Sequence, residues 1–96
     1  MFIVLLEYIR PLDEIDTLIP AHRSFLQRHY ASGHFLMSGR REPRTGGVII
    51  ASLPSKSQLQ QVLQEDPFYQ AGVVRYEIVE FVPTMTQPEL DGWRQA

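Results

Sequence analysis

The middle of the chain reads HFLMSGRREPRTGGVIIAS over residues 34–52. Its two ends, residues 34–39 and 46–52, are rich in apolar, aromatic and β-branched side chains, which favour strands. The RREPRT segment between them is basic and contains a proline, a composition typical of a turn. We therefore expect a hairpin with a long loop, and the segments on either side of it determine how that hairpin is built into a domain.

The residues before this hairpin predict one strand and one helix. Residues 2–9 are largely apolar on both faces of an extended chain, which indicates a strand that is covered on both sides. Between residues 13 and 32 the apolar side chains recur at spacings of three, four and seven, which is typical of one helix face, and Gly33 supplies a C-terminal stop. Pro20 leaves two alternatives: Thr17 caps a helix whose first turn holds the proline, or a longer helix kinks there.

The residues after the hairpin predict a second helix and a last strand. SKSQ, residues 55–58, matches the Ser-x-x-Gln capping box and precedes a short apolar stripe. Residues 73–82 alternate between apolar and polar side chains, as a strand with one buried face does. The order β-α-β-β-α-β predicts an α+β ferredoxin-like fold, with a four-stranded antiparallel sheet and two helices on one face. Because the other face would be open and apolar, we expect a homodimer or higher homo-oligomer.

Length and composition restrict the classes of function. The 96 residues suffice for one core, and we assign residues 1–83 to a single domain and residues 84–96 to a C-terminal tail. A formal net charge of -2 gives no indication of nucleic-acid binding. The absence of cysteine removes thiol nucleophiles and thiolate metal ligands. The apolar opening MFIVLLEYIR is too short to span a membrane and lacks the features of a signal peptide, so we expect a cytoplasmic protein with no membrane partner.

Two residues are candidates for chemistry, and each also has a purely structural interpretation. His22 lies on the apolar stripe of the first helix, with its ring expected to face the sheet, and a lone histidine there is more often a core residue than a catalyst. Asp66 precedes Pro67, an arrangement that caps a helical turn. His29 lies on nearly the same line as His22, but His34 need not face either of them. Since no HxH or HExxH spacing occurs, we expect no metal and no cofactor.

Five motifs, taken in order over about residues 1–83, resemble those of the YciI family: IPAHRSFL, GHFLMSG, GGVIIAS, EDPFYQAG and YEIVEF. The resemblance implies a dimeric ferredoxin-like α+β barrel with an active site built from a His-Asp pair. His22 matches the family histidine and Asp66 the family aspartate, so both are implied to be catalytic. Ser38 and Gly39 match a Ser-Gly at a strand end, after which Arg40 stands where the family often has proline. The expected substrate-binding residues are Ser38, Gly39, Arg40 and Phe68.

This resemblance suggests that Asp66 orients His22. A carboxylate that accepts one imidazole N–H leaves the other ring nitrogen as a base and stabilises the imidazolium when it forms. Ser38 would then donate to a developing oxyanion, although a turn residue bonded to its own backbone is the simpler interpretation of that serine.

Two classes of function follow for this chain. In the first, the chain is a small enzyme that moves a proton on an aromatic, lactone-like or enolisable small molecule, by isomerisation, elimination or dehydrohalogenation. In the second, it is a non-catalytic ligand-binding or assembly module on the same fold, in which His22 and Asp66 hold the helix against the sheet.

Overall fold

The computed structural model describes residues 1–95 and contains the predicted order of strands and helices. The four strands are β1 (Phe2–Tyr8), β2 (Phe35–Arg40), β3 (Gly46–Ala51) and β4 (Val74–Glu80). The helices are α1 (Leu12–Ala31), α2 (Lys56–Leu63) and the single turn α3 (Pro67–Gln70), and a 3₁₀ helix follows at Pro88–Trp93. No helix within these residues is both long and apolar enough to cross a bilayer.

The strands form one antiparallel sheet in the order β2-β3-β1-β4, which confirms the α+β ferredoxin-like prediction. β1 is central and pairs with both neighbours, so that Phe2 lies opposite Ala51 on one side and Glu80 on the other. The pairing of β2 with β3 shifts between Phe35 and Met37, an irregularity that moves one residue out of register. The predicted long-looped hairpin is therefore present, with residues 41–45 as its loop.

The core lies on the face of the sheet that the helices cover. Phe2, Val4 and Leu6 alternate along β1 and are almost fully buried there, as the two-residue period of a strand requires. The partners contributed by the helices include Ile15 and Phe25 of α1.

The opposite face of the sheet is less covered in the described chain. Ile3 and Leu5 of β1 are only half-buried in the single chain, and the neighbouring Val79 is 42% exposed. This apolar surface, which also includes Val48 and Ile50, is called the open face below.

Helix α1 is continuous through Pro20, so the alternative in which Thr17 caps a shorter helix is wrong. The helix begins at Leu12 after Pro11, and the hydroxyl of Thr17 donates to the carbonyl of Glu14 at 2.8 Å inside it. The proline removes one backbone N–H, but burial of an apolar helix face outweighs that loss because most helix stability in proteins comes from packing. The predicted stop is present, since Gly33 has a φ of 82°.

Two caps position the segment between α2 and β4. The Ser55 side chain accepts from the backbone N–H of Gln58 at 3.2 Å, which confirms the predicted start of the second helix. Asp66 caps α3, and Pro67 occupies the first turn of that helix, as the structural interpretation of Asp66 required. The predicted tail, described here to residue 95, contains the 3₁₀ helix and returns to the domain through a bond from the Gln95 N–H to the Pro83 carbonyl.

Candidate functional site

The carboxylate of Asp66 is fully buried, and three donors from three different elements hold it. Its Oδ1 accepts from Nδ1 of His22 at 2.7 Å and from the backbone N–H of Phe68 at 2.9 Å. Its Oδ2 accepts from the hydroxyl of Tyr76 on β4. A buried carboxylate without partners would cost several kcal/mol, whereas charge-assisted hydrogen bonds are among the strongest in proteins. The carboxylate is thus tied at once to α1, α3 and β4.

The contact predicted between His22 and Asp66 is present although the residues are 44 positions apart. Asp66 also caps α3, as the structural interpretation required. Its Oδ1 atom accepts both the bond from His22 and the capping bond from Phe68. Because a carboxylate only accepts, Nδ1 of His22 carries the proton, and Nε2 of the neutral ring carries the lone pair.

The ring of His22 lies at the edge of the core and not within it. Its side chain is 14% exposed, whereas Phe25 and His29 farther along the same helix are more deeply buried. The ring therefore points away from open solvent, as expected, without being fully enclosed. The ring stacks on Phe68, with centroids 4.0 Å apart and an angle of 10° between the planes. Stacking and the bond to Asp66 together hold the ring in one orientation.

Tyr76 is a site residue that the sequence did not reveal. It shares its strand face with Val74 and Ile78, so alternation alone places it toward the helices. Burial raises the pKa of its hydroxyl well above the usual range, and the nearby Asp66 carboxylate raises it further. The hydroxyl consequently stays protonated and remains a donor to Asp66.

We expect the Tyr76→Phe variant to lose less stability at alkaline pH than the wild type. Because the pKa of Tyr76 is raised in the folded state, the unfolded chain releases this proton first. The contribution of the protonated Tyr76 hydroxyl to the free energy of unfolding is fully present below a pH of about 10. Above that pH the free energy of unfolding of the wild type falls by about 1.4 kcal/mol per pH unit. Urea unfolding at a series of alkaline pH values measures the difference, with Tyr69→Phe as the control because Tyr69 is 47% exposed. Parallel pH dependences for wild type and Tyr76→Phe would contradict this role.

A cavity of about 500 Å³ lies between α1 and the strands β1, β2 and β3. It has the size of a small-molecule site. Its apolar wall includes Leu6, Ile19, Leu26 and Ile49. Five of the six predicted site residues line it, and Asp66 contacts the ring of His22; the lining five are His22, Ser38, Gly39, Arg40 and Phe68.

The position of Ser38 corrects the turn interpretation. Ser38 lies within β2, opposite Ile49, and its hydroxyl is 2.5 Å from the hydroxyl of Tyr30 on α1. It therefore bonds a helix side chain and not its own backbone. Arg40, at the end of the same strand, pairs with Glu42 at 2.9 Å and has a side chain that is 72% exposed.

Two further arginines, Arg23 and Arg44, line the cavity and were not predicted. Arg23 follows His22 directly, and Arg44 belongs to the basic loop that the sequence showed only as a turn. Their side chains reach the same cavity because the loop after β2 folds back beside α1, where Arg44 pairs with Asp16 at 2.5 Å. The only sequence signal for this pair of arginines was the basic composition of the segments that carry them.

The other two histidines form a separate cluster at the far end of α1. His29 lies 3.1 Å from His34, measured between their Nδ1 atoms, so His34, whose orientation the sequence left open, faces His29. His29 also contacts Glu65 through Nε2 at 3.0 Å. Across residues 1–95, no group of three or more histidine or acidic side chains is placed to hold a metal ion.

Comparison with known proteins gives the family of the chain. The model of the YCII-related domain matches residues 1–82. The chain belongs to the YCII-related family. Membership confirms the resemblance noted in the five sequence motifs.

A solved structure similar to this YCII-related chain is 5-chloro-2-hydroxyhydroquinone dehydrochlorinase, TftG, from Burkholderia phenoliruptrix AC1100, in complex with 2,5-dihydroxybenzoquinone. The TM-score is 0.71 at 19% sequence identity, and the match covers 84% of this chain and 93% of TftG. At this identity the likeness establishes a shared fold. No curated protein matches the sequence.

Proposed function

We propose that this YCII-related chain is a small-molecule enzyme in which His22 is the general acid-base residue and Asp66 orients it. The observation that carries the proposal is the 2.7 Å hydrogen bond from Nδ1 of His22 to buried Asp66, made by a ring that also lines the cavity. A buried carboxylate behind a partly exposed imidazole is the arrangement that general-base catalysis uses.

The chemistry follows from the state of the imidazole. Nε2 of neutral His22 takes a proton from an acidic C–H or O–H group of the substrate, and Asp66 stabilises the imidazolium that forms. The electron pair left on the substrate moves onto a carbonyl oxygen, which gives an enolate, or expels a leaving group such as chloride. Return of the proton from His22 to a different atom completes an isomerisation. When a leaving group departs instead, His22 passes its proton to water, which completes an elimination or dehydrohalogenation. On an aromatic chlorohydroquinone the returned proton first makes the chlorinated ring carbon tetrahedral, and chloride leaves when a ring hydroxyl then loses its proton. No covalent bond to the protein is needed.

The other predicted residues have roles in binding. The hydroxyl of Ser38 and backbone N–H groups near Gly39 are donors for a developing oxyanion at the strand side of the cavity. Phe68 and the apolar wall favour a ring-shaped substrate. Dehydrohalogenation gains further support because TftG, which shares the fold, is named as a dehydrochlorinase of a chlorinated hydroquinone.

Turnover of 5-chloro-2-hydroxyhydroquinone tests the proposal. Chloride release, followed by ion chromatography, should exceed the rate without protein and should saturate with substrate. A parallel reaction in deuterated water, followed by proton NMR, detects proton transfer even if chloride does not leave. A chain that catalyses neither process with this substrate would favour the alternative below.

The alternative is a non-catalytic ligand-binding module, and one observation favours it. Two of the three bonds to Asp66 come from Phe68 and Tyr76, and both are internal to the fold. In this case His22 would be the third structural partner, holding α1 against α3. The His22→Ala variant would then lose stability, while ligand binding in the cavity would continue.

The open face leads to a prediction about assembly. We propose that two chains pack there as a homodimer, because an apolar sheet face of this kind is stabilised by burial against a second copy. Light scattering at micromolar concentration should give twice the 11.1 kDa chain mass. Val79→Glu, which puts a charge on the open face, should shift the protein toward monomer, whereas Gln60→Glu at an exposed position of α2 should not. A monomer mass for the wild type would contradict the assembly.

A further inference from the structure

The charges that line the cavity differ from those of the chain as a whole. The sequence has 11 acidic and 9 basic residues, with a formal net charge of -2. The cavity, in contrast, is lined by three arginines and by no aspartate or glutamate of the described chain; the three are Arg23, Arg40 and Arg44. Positive charge is therefore concentrated at one place in a protein that is otherwise slightly acidic.

Only part of this positive charge is compensated. Arg44 pairs with Asp16 at 2.5 Å and Arg40 pairs with Glu42 at 2.9 Å, and neither carboxylate lines the cavity. Arg23 forms no ion pair with a carboxylate of residues 1–95. Guanidinium groups keep their charge at any physiological pH and match the geometry of carboxylate and phenolate oxygens.

We propose that the cavity binds a small organic anion: a carboxylate, phenolate or enolate carried on an apolar ring. Arg23, Arg40 and Arg44 hold the charged group, while the ring packs on the apolar wall beside Phe68. The volume of about 500 Å³ and the apolar wall suit an aromatic molecule better than a bare inorganic anion. This inference rests on the proposed function, because it names the substrate class of the same site.

The arginines also bear on the reaction. When His22 removes a proton, negative charge develops on the substrate, and arginine cations next to that charge stabilise it. In a partly enclosed site this attraction is stronger than in bulk water. Proton removal by a neutral imidazole is thereby made easier for a substrate whose charge lies near the arginines.

Two matched pairs of probes separate charge from shape. The first is benzoate with benzamide. The second is 2,5-dihydroxybenzoquinone, whose enolic hydroxyls are ionised at neutral pH, with its neutral dimethoxy ether. Each probe is titrated while the NMR amide signals of Gly39 and Gly47, both lining the cavity, are followed. We expect each anion to bind at least about tenfold tighter than its neutral partner, with the difference shrinking as salt is added.

Single arginine variants test whether the tighter binding of anionic probes comes from the arginines that line the cavity. Arg23→Gln and Arg40→Gln should each weaken binding of the anions by about tenfold or more and leave the neutral probes unchanged. Arg28→Gln is the control, since Arg28 is on the same helix as Arg23 but outside the cavity lining. Circular dichroism melts of all three variants check that each is folded.

The possible results are distinct. If no anion binds, if anions bind no tighter than their neutral partners, or if Arg23→Gln behaves as Arg28→Gln does, the inference is overturned. Selective anion binding together with turnover that is independent of His22 would support the anion site and contradict the proposed function. Turnover that depends on His22, together with equal binding of anionic and neutral probes, would support the proposed function and contradict the anion site.

Discussion

Replacing His22 with alanine should lower turnover of 5-chloro-2-hydroxyhydroquinone by about 10²–10⁴-fold, the usual contribution of a general base. The fold should persist, because His22 is partly exposed and lies at the edge of the core. His34→Ala is the matched control, since it removes a histidine that does not line the cavity. Chloride release under saturating substrate gives the rate, and far-ultraviolet circular dichroism shows that each variant is folded.

The Asp66→Asn variant makes the same test sharper. The amide keeps the size of the carboxylate, and its oxygen still accepts from the N–H of Phe68, but the negative charge that stabilises the His22 imidazolium is lost. The amide nitrogen, which only donates, also replaces the oxygen that accepts from Tyr76. Activity should therefore fall strongly while α3 stays capped. The double variant should be scarcely slower than His22→Ala, because residues that act as one unit are not additive. An unfolded Asp66→Asn protein together with a fully active His22→Ala protein would leave only the structural interpretation.

Replacing Gly46 with alanine should lower the free energy of unfolding by at least about 3 kcal/mol, the upper range for overpacking. An added Cβ would lie 1.7 Å from the backbone oxygen of Leu6 and 2.8 Å from its carbonyl carbon. Both are main-chain atoms of the central strand, so no side-chain rotation relieves the clash. The variant has to separate β1 from β3 where Gly46 pairs with Glu7.

Gly39→Ala is the control for this effect. Nothing lies within 4 Å of the position that its Cβ would take, and Gly39 is also in a strand. Its free energy of unfolding should stay the same or rise by up to about 1 kcal/mol, since glycine loses the most backbone entropy on folding. Urea titrations of both variants measure the contrast. Equal stability of the two would show that β1 and β3 can move apart at little cost.

The order of elements could be predicted from local signals, because each signal acts within a few residues. The Ser55 cap and the stop at Gly33 are of this kind. Pro20 could not be resolved in the same way, since the choice between a short and a long α1 depends on packing against the sheet. Helical periodicity likewise placed His22 on the correct stripe but could not show that its side chain stays partly exposed.

The candidate site was less predictable because its contacts join distant segments. The spacing of 44 residues between His22 and Asp66 carries no local pattern, and the expectation that they meet came from the family resemblance. The bond from Tyr76 to Asp66 depends on how β4 is placed beside α3, which no strand pattern specifies. Arg23 and Arg44 were missed for the same reason, since a basic loop and a helix meet only in the folded chain.

The Oδ1 atom of Asp66 couples the closure of α3 to the orientation of the His22 ring, because it bonds both. The amide of Phe68 is protected from hydrogen exchange only while α3 is closed on that oxygen, and His22 is oriented by the same atom. Each opening that moves Asp66 out of place exposes the amide and releases the imidazole together. The fraction of molecules with an oriented His22 therefore cannot exceed the fraction in which Asp66 is in place. In the proposed mechanism the apparent rate would be scaled by that population, so that the four-residue helix α3 would limit the fraction of time in which the base is oriented.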